Sequence, residues 1–368
     1  IAEQAEGYMH KDGGPVIGIQ IENEYGHAGG PSDREEGMAH MRTLRAMAEK
    51  KGLEAPYVSA TGWGGAYVPG SFLPVLGGYV DAPWANHTHE LAASENFLFQ
   101  PFHDDANIAS DFSEGQSGFT FDAAEFPYLT AELGGGLQVT AHRRTYPYPE
   151  DIEAQTICML GAGANLIGYY MYHGGSTPLR QDNIGSYQDE PMGIPKISYD
   201  FQAPLGEFGL EHPSYRYLRT IHSFLADFGS NLAPMETVLP EGWEKMTPEN
   251  RDDLRYAARM KDDSGFIFMI NFQDHDTLRH DMDGLQLQLN LRNETLRIPE
   301  QGTFTLPKDE SMILPFNLML GSARLRYATA QPLMKINDNS IDHYIFFAPE
   351  GMKPEYCFDA RTVKGKAK

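Results

Sequence analysis

The stretch Gly13-Gly14-Pro15-Val16-Ile17-Gly18-Ile19-Gln20-Ile21-Glu22-Asn23-Glu24-Tyr25-Gly26 constrains the fold more than any other part of the chain. Val16, Ile17, Ile19 and Ile21 form a nearly continuous apolar run behind a Gly-Gly-Pro start, the pattern of a parallel strand covered on both faces. Two carboxylates and an amide follow directly. In the middle of a buried strand they would be costly, whereas at the C-terminal tip of a strand in a parallel α/β fold they face a site. Glu22, Asn23 and Glu24 are therefore site candidates.

Composition narrows the partners. Asp plus Glu number 51 against 29 Lys plus Arg, a formal net charge of −22, which argues against nucleic acid or an anionic membrane surface and suits a neutral ligand such as a glycan. No run of about 18 apolar residues is present, so no membrane span is expected. Cys158 and Cys357, about 200 positions apart, cannot make a zinc site and read as separate thiols. With 368 residues, the chain is long enough for two domains.

Downstream, Ser32-Asp33-Arg34-Glu35 reads as a capping box, with Met38, Met41, Leu44 and Met47 at helical spacing behind it. Pro56 to Trp63 is the next strand, and its tip from Thr61 to Trp63 would face the site. Gly64 to Phe126 is long, aromatic and weakly periodic; Gly77 to Trp84 holds a further strand, with Trp84 as a stacking platform for a sugar or as a packed rim residue. His87, His89, His103, Asp104 and Asp105 fit no compact metal motif and read as loop residues, so no metal is expected.

Pro127 to Leu133 is a short apolar run with one acid at its tip, Glu132. Gly134, Gly135 and Gly136 follow, a run that lets backbone approach a ligand closely. Nearby Asp122, Glu125 and Glu150 end no apolar run. Glu150 to Leu160 reads as a helix with acids in its first turn, and Asn165 to Tyr172 as the next strand. Tyr215, Leu218, Ile221, Leu225 and Phe228 mark a helix ending at Gly229. Pro234, Pro240, Gly242 and Pro248 then signal a boundary, beyond which short strands alternate with turns: 254–260, 266–272, 285–291, 303–306 and 312–318, with 325–336 and 343–349 opening a further β module.

Three stretches carry a family resemblance. Gly-Gly-Pro with Gln-Ile-Glu-Asn-Glu-Tyr, the segment Tyr170-Met171-Tyr172-His173-Gly174-Gly175-Ser176, and Ser198-Tyr199-Asp200-Phe201-Gln202-Ala203-Pro204-Leu205 together resemble glycoside hydrolase family 35, the retaining β-galactosidases. The resemblance implies an α/β fold: a partial (β/α)8 TIM barrel, about strands four to eight, followed by an antiparallel all-β domain. The corresponding divisions are 1–232 for the barrel part, 233–322 for the β-domain and 323–368 for a truncated further β module. Such a piece would lack the first three strands and is expected to be unstable or inactive alone.

By the same resemblance Glu24 is the acid/base and Glu132 the nucleophile of a double displacement that removes terminal non-reducing β-D-galactose, with no cofactor. Asn23 would touch the sugar 2-hydroxyl and Tyr170 the galactose, with Glu22, Trp84 and Phe201 also lining the pocket. Phe201 stands where some members have a sugar-binding tyrosine, so a related exo-specificity such as β-glucosaminidase or β-arabinosidase is an alternative, as is a carbohydrate-binding pseudo-enzyme. Leu133 and three glycines follow Glu132 where the family commonly has aromatics. The expected partner is a galactoside or oligosaccharide, and the expected location is extracellular or periplasmic, toward which the sequons at Asn86 and Asn293 point weakly. The oligomeric state is left open.

Overall fold

The apolar runs of the first half become short strands that lie side by side in chain order. A computed structural model describes residues 1–59, 65–85, 87–101, 121–182, 185–187 and 193–364; Thr61 to Trp63, Asn86, His103, Asp104 and Asp105 lie outside these. Strand β1 (Ile19–Gln20) pairs in parallel with β2 (Tyr57–Ser59), which pairs in parallel with β3 (Leu73–Pro74). Val75 alone separates β3 from β4 (Leu76–Gly78), and β4 pairs in parallel with β5 (Thr130–Leu133). Residues 166–170 then run beside β5: Thr130 and Leu133 donate to the carbonyls of Leu166 and Gly168, and Tyr170 donates to Leu133. Helix α1 (Arg34–Lys50) connects β1 to β2, and α2 (Pro149–Gly161) lies between β5 and the 166–170 segment. The crossover helices are what parallel neighbours require.

Several local expectations are corrected. The first strand is not covered on both faces: Ile17 is 63% exposed and β1 is only two residues long, because among the described residues β1 pairs on one side only and forms the edge of the ladder. The N-cap of α1 is Asp33, whose carboxylate accepts from the Glu36 N–H at 3.1 Å, rather than Ser32. Met38 and Met41 are buried, whereas Met47 at the same spacing is exposed. The strand placed at Gly77 to Trp84 ends at Gly78; beyond it the chain leaves the ladder as a loop. Cys158 is buried and Cys357 partly so, and both are free thiols.

Two short antiparallel pairs, β6 (Val139–Thr140) with β8 (Gly193–Ile194) and β7 (Gly175–Ser176) with β9 (Ser198–Tyr199), precede helix α3 (Ser214–Leu232). The apolar spacing buries Leu218, Ile221, Phe224, Phe228 and Leu232 along one face of α3.

The second half is antiparallel. It contains β10 (Glu236–Val238), β11 (Arg255–Lys261), β12 (Ser264–Ile270), β13 (Met282–Leu285), β14 (Leu287–Asn290), β15 (Thr295–Ile298), β16 (Phe304–Leu306), β17 (Ser311–Leu320), β18 (Ala323–Ala328), β19 (Gln331–Asp338), β20 (Ile341–Phe347) and β21 (Tyr356–Phe358). Six of them form one sheet in the order β10-β11-β12-β17-β18-β21. The division expected between 322 and 323 is crossed by this sheet, since Leu320 in β17 pairs with Ala323 in β18 and β21 pairs with β18. One face of the sheet packs on the helices of the first half: Phe224 and Phe266 meet edge to face at 5.2 Å, and Phe268 shares the core with Ile157 and Leu160.

Two arginines on the same face of β11, each 1% exposed, fasten the halves together. Arg259 donates from Nε to Met235 O at 3.1 Å, from Nη1 to Leu160 O at 2.9 Å, and from Nη2 to Asn165 Oδ1 at 2.9 Å and Leu232 O at 3.3 Å. Leu160 and Leu232 lie in the last turns of α2 and α3, where carbonyls lack intrahelical partners and a cation is favoured. Arg255 similarly reaches Pro248 O at 2.7 Å, Gln273 Oε1 at 2.8 Å, Phe272 O at 3.0 Å and Phe97 O at 3.3 Å. Burial pushes Arg255 down to about 9 and Arg259 to about 10, so both remain cations at neutral pH, solvated by carbonyl oxygens in place of water. Arg259→Ala leaves these acceptors buried and unpaired and is expected to cost about 3 kcal/mol, seen as a lower midpoint in urea unfolding.

Candidate active site

The loop leaving β4 carries the residue that completes the site. Tyr79, fully buried, donates its hydroxyl to Glu132 Oε1 at 2.6 Å. The two are delivered by neighbouring strands, since Gly77 pairs with Glu132 and Gly78 with Leu133. Burial first, then the charge of Glu132 and its hydrogen bond, push the Tyr79 hydroxyl well above its ordinary range, with Glu24 adding to the effect. It is therefore a fixed donor, and its bond favours Glu132 as an oriented carboxylate.

Tyr170, at the end of the segment beside β5, shares a hydrogen bond with Tyr199 through their hydroxyls at 2.8 Å. Burial, that bond and the charges of Glu132 and Glu24 raise it too. Both carboxylates thus act on the same two hydroxyls, which puts Glu24 and Glu132 in one electrostatic neighbourhood.

Aromatic rings wall this region. Trp84 meets Tyr79 edge to face at 4.7 Å and donates from its indole to Gln138 Oε1 at 3.2 Å. Phe201 lies 5.3 Å from Tyr170, 5.5 Å from Tyr199 and 6.5 Å from Trp84. At 6% exposure Phe201 is the packing centre of these rings, whereas Trp84 is half-buried and keeps part of its surface open.

Backbone strain marks the same place. Among the described residues before 233, the non-glycine residues with left-handed φ are Glu22 (62°), Glu24 (49°), Phe201 (58°) and Gln202 (52°). Such conformations cost energy and cluster where geometry is imposed for function.

Glu22 and Asn23 each have a partner nearby. The Glu22 carboxylate pairs with His40 Nε2 on α1 at 2.9 Å, and the exposed Asn23 accepts from Gln20 Nε2 at 3.2 Å. The glycine run after Glu132 also differs from expectation. A Cβ on Gly135 would meet Met171 O at 2.5 Å, one on Gly136 Phe201 O at 2.2 Å, and one on Gly134 the Tyr79 ring at 2.8 Å. These glycines admit the protein's own backbone and rings close behind the site.

The site residues missed in the sequence are Tyr79 and Tyr199. Tyr79 sits directly after the Gly77-Gly78 pair at a strand end, which is the signal that marks it. Elsewhere, His87 and His89 stack at 3.5 Å. Among the described residues, one trio, Asp81, Asp274 and His275, brings potential ligand atoms within 4.8 Å of one another. His275 Nε2 there lies 3.1 Å from Asp274 Oδ2 and 3.6 Å from Asp81 Oδ2.

The family model of glycosyl hydrolases family 35 matches residues 1–225, a stretch that holds Glu24, Tyr79, Trp84, Glu132, Tyr170, Tyr199 and Phe201. The chain belongs to that family. Over 212 residues it is 24% identical to beta-galactosidase 10 of Arabidopsis thaliana, covering 57% of this chain and 22% of that relative. Over 96 residues it is 31% identical to beta-galactosidase 3 of Oryza sativa subsp. japonica, covering 26% of this chain and 10% of that relative. The chain thus spans about a fifth or less of the length of these relatives. For this family-35 cluster, Tyr79→Phe keeps the ring and removes the donor to Glu132; glycoside turnover is expected to fall about 10- to 100-fold, with the thermal midpoint little changed.

Proposed function

We propose that this chain carries the catalytic pair of a retaining β-galactosidase, in which Glu132 is the nucleophile and Glu24 the acid/base. The observation that carries the reading is the Glu132 carboxylate near the end of parallel strand β5, held by the buried Tyr79 hydroxyl at 2.6 Å. Family membership and the names of the relatives support it. The parallel ladder, in chain order with crossover helices, supports reading 1–232 as one side of a (β/α)8 barrel, with antiparallel β structure from 233 onward.

In the first step a Glu132 oxygen attacks the anomeric carbon. The glycosidic C–O bond breaks, and the leaving oxygen takes the proton of Glu24. In the second, water attacks the glycosyl ester, Glu24 accepts its proton, and Glu132 leaves as carboxylate. Such a pair works with its carboxyls about 5 to 5.5 Å apart. Trp84 offers the sugar an aromatic face and Tyr170 a hydroxyl, Asn23 reaches the sugar from the rim, and Phe201 backs the rings. Glu22, committed to His40, anchors the strand end to α1. A secreted or periplasmic setting suits a glycan substrate.

Glu132→Ala is expected to abolish release of an aryl β-galactoside, and unchanged turnover would refute the nucleophile assignment. Glu24→Ala is expected to hydrolyse slowly and to recover with added azide, giving a β-galactosyl azide of retained configuration. An inverted azide, or no rescue, would count against the acid/base role. On a panel of aryl glycosides, the β-galactoside is expected to exceed the β-glucosaminide and the arabinoside by at least about tenfold in kcat/KM.

A further inference from the structure

The loop that brings Tyr79 to Glu132 and Trp84 to the pocket wall is only six residues long from one to the other, and Asp81 stands between them. Asn96 Nδ2 holds the loop at Tyr79 O at 2.8 Å and Thr140 Oγ1 holds it at Pro83 O at 2.7 Å; Asp81 supplies its ionic contacts. Its Oδ1 accepts from the Ala82 N–H at 2.7 Å and from Arg143 Nη2 at 3.3 Å, and its Oδ2 lies 3.6 Å from His275 Nε2. His275 belongs to the other half of the chain, in the turn after β12, and its Nε2 is also 3.1 Å from Asp274 Oδ2. The two carboxylates are nearly buried, at 11% and 10% side-chain exposure, while the imidazole is 62% exposed and closes them off from water. A cleft of about 300 Å³ lies alongside, lined by Asp81, Arg143, Arg251, Asp274 and His275 among others. Residue 275 also takes a left-handed φ of 59°, so the turn is shaped to carry this side chain to Asp81.

We infer that His275 is a positioning residue for the reaction at Glu132: as a cation bridging Asp81 and Asp274 it holds the Tyr79–Trp84 loop, and through it the Tyr79 hydroxyl, on the nucleophile. This rests on reading Glu132 as the nucleophile. Its physical basis is that two nearly buried carboxylates this close repel unless a cation lies between them. Its contact with the Asp274 carboxylate first, and with that of Asp81 second, pushes His275 up to about 10. Burial would raise Asp81, but its bonds from His275 and Ala82 and the charge of Arg143 outweigh that and hold it below the usual carboxylate range. The other groups facing the bridge are Asp151 in the first turn of α2, pushed up to about 8 by burial and the Asp274 charge, and Glu90, Glu249, Arg251 and Asp276 around the cleft. A group raised in the folded state contributes fully below its unfolded value of 6.5 and loses that contribution as pH rises through about 10, so the bridge persists across the neutral range.

The test uses the whole chain with two readouts. In the first, His275→Gln lowers kcat on an aryl β-galactoside about tenfold with KM within about twofold, His275→Arg restores most of it, and the Gln substitution has no further effect in a Tyr79→Phe background. Equal factors in both backgrounds, or no rescue by Arg, would overturn the inference. In the second, Trp84 is made the sole indole by Trp63→Phe and Trp243→Phe. At neutral pH its emission moves to longer wavelength in His275→Gln and stays at the parent position in His275→Arg. An unmoved emission would overturn the inference. If His275→Gln does not fold, Asp81→Asn, which keeps the Ala82 bond and drops the charge, is read in its place with the same expectations. If the parent chain shows no turnover, the Trp84 emission decides this inference by itself.

Discussion

The contact on which the arrangement depends is the buried guanidinium of Arg259 among the carbonyls that end α2 and α3. Helix ends carry partial negative charge, and two of them converging in a dry interface would be unfavourable without a cation. One strand of the antiparallel sheet supplies it. The same strand, four residues earlier, places Arg255 against the carbonyls of Phe97 and Pro248. Helices that flank the parallel ladder are thus oriented by residues from the far half of the chain, and the apolar packing of Phe224 on Phe266 fills in around that polar frame.

This dependence explains what the sequence made legible and what it did not. Helix α3 could be read because its apolar residues repeat at helical spacing and one face is buried, a property of local sequence. The strands of the second half were legible for the same reason, as alternation between turns. Long-range sheet order is not local, so β18 and β21 looked like a new module although they hydrogen-bond into the existing sheet. The apolar run at Val16 to Ile21 suggested two covered faces because periodicity reports hydrophobicity, not how many neighbours a strand has.

Glu24 and Glu132 were open to proposal from the sequence because a carboxylate following an apolar run has few structural uses. The partners that orient them were not. Tyr79 and Tyr199 are aromatic residues among many, and only the β4–β5 register and the bond between Tyr170 and Tyr199 distinguish them. Glu22 had the same sequence credentials as Glu24. What separates them is a long-range contact, the pairing of Glu22 with His40 on α1, which no local pattern announces.

The glycines behind Glu132 bear on how such a pocket can diversify. At Gly135 and Gly136 an added methyl group would strike carbonyl oxygens of Met171 and Phe201, atoms of the main chain that cannot swing aside as a side chain would. That wall is closed to stepwise change by point substitution, whatever sugar is under selection. Trp84, by contrast, sits on the loop beyond β4 and meets its neighbours through side chains, Tyr79 and Gln138, which can adjust to a changed residue.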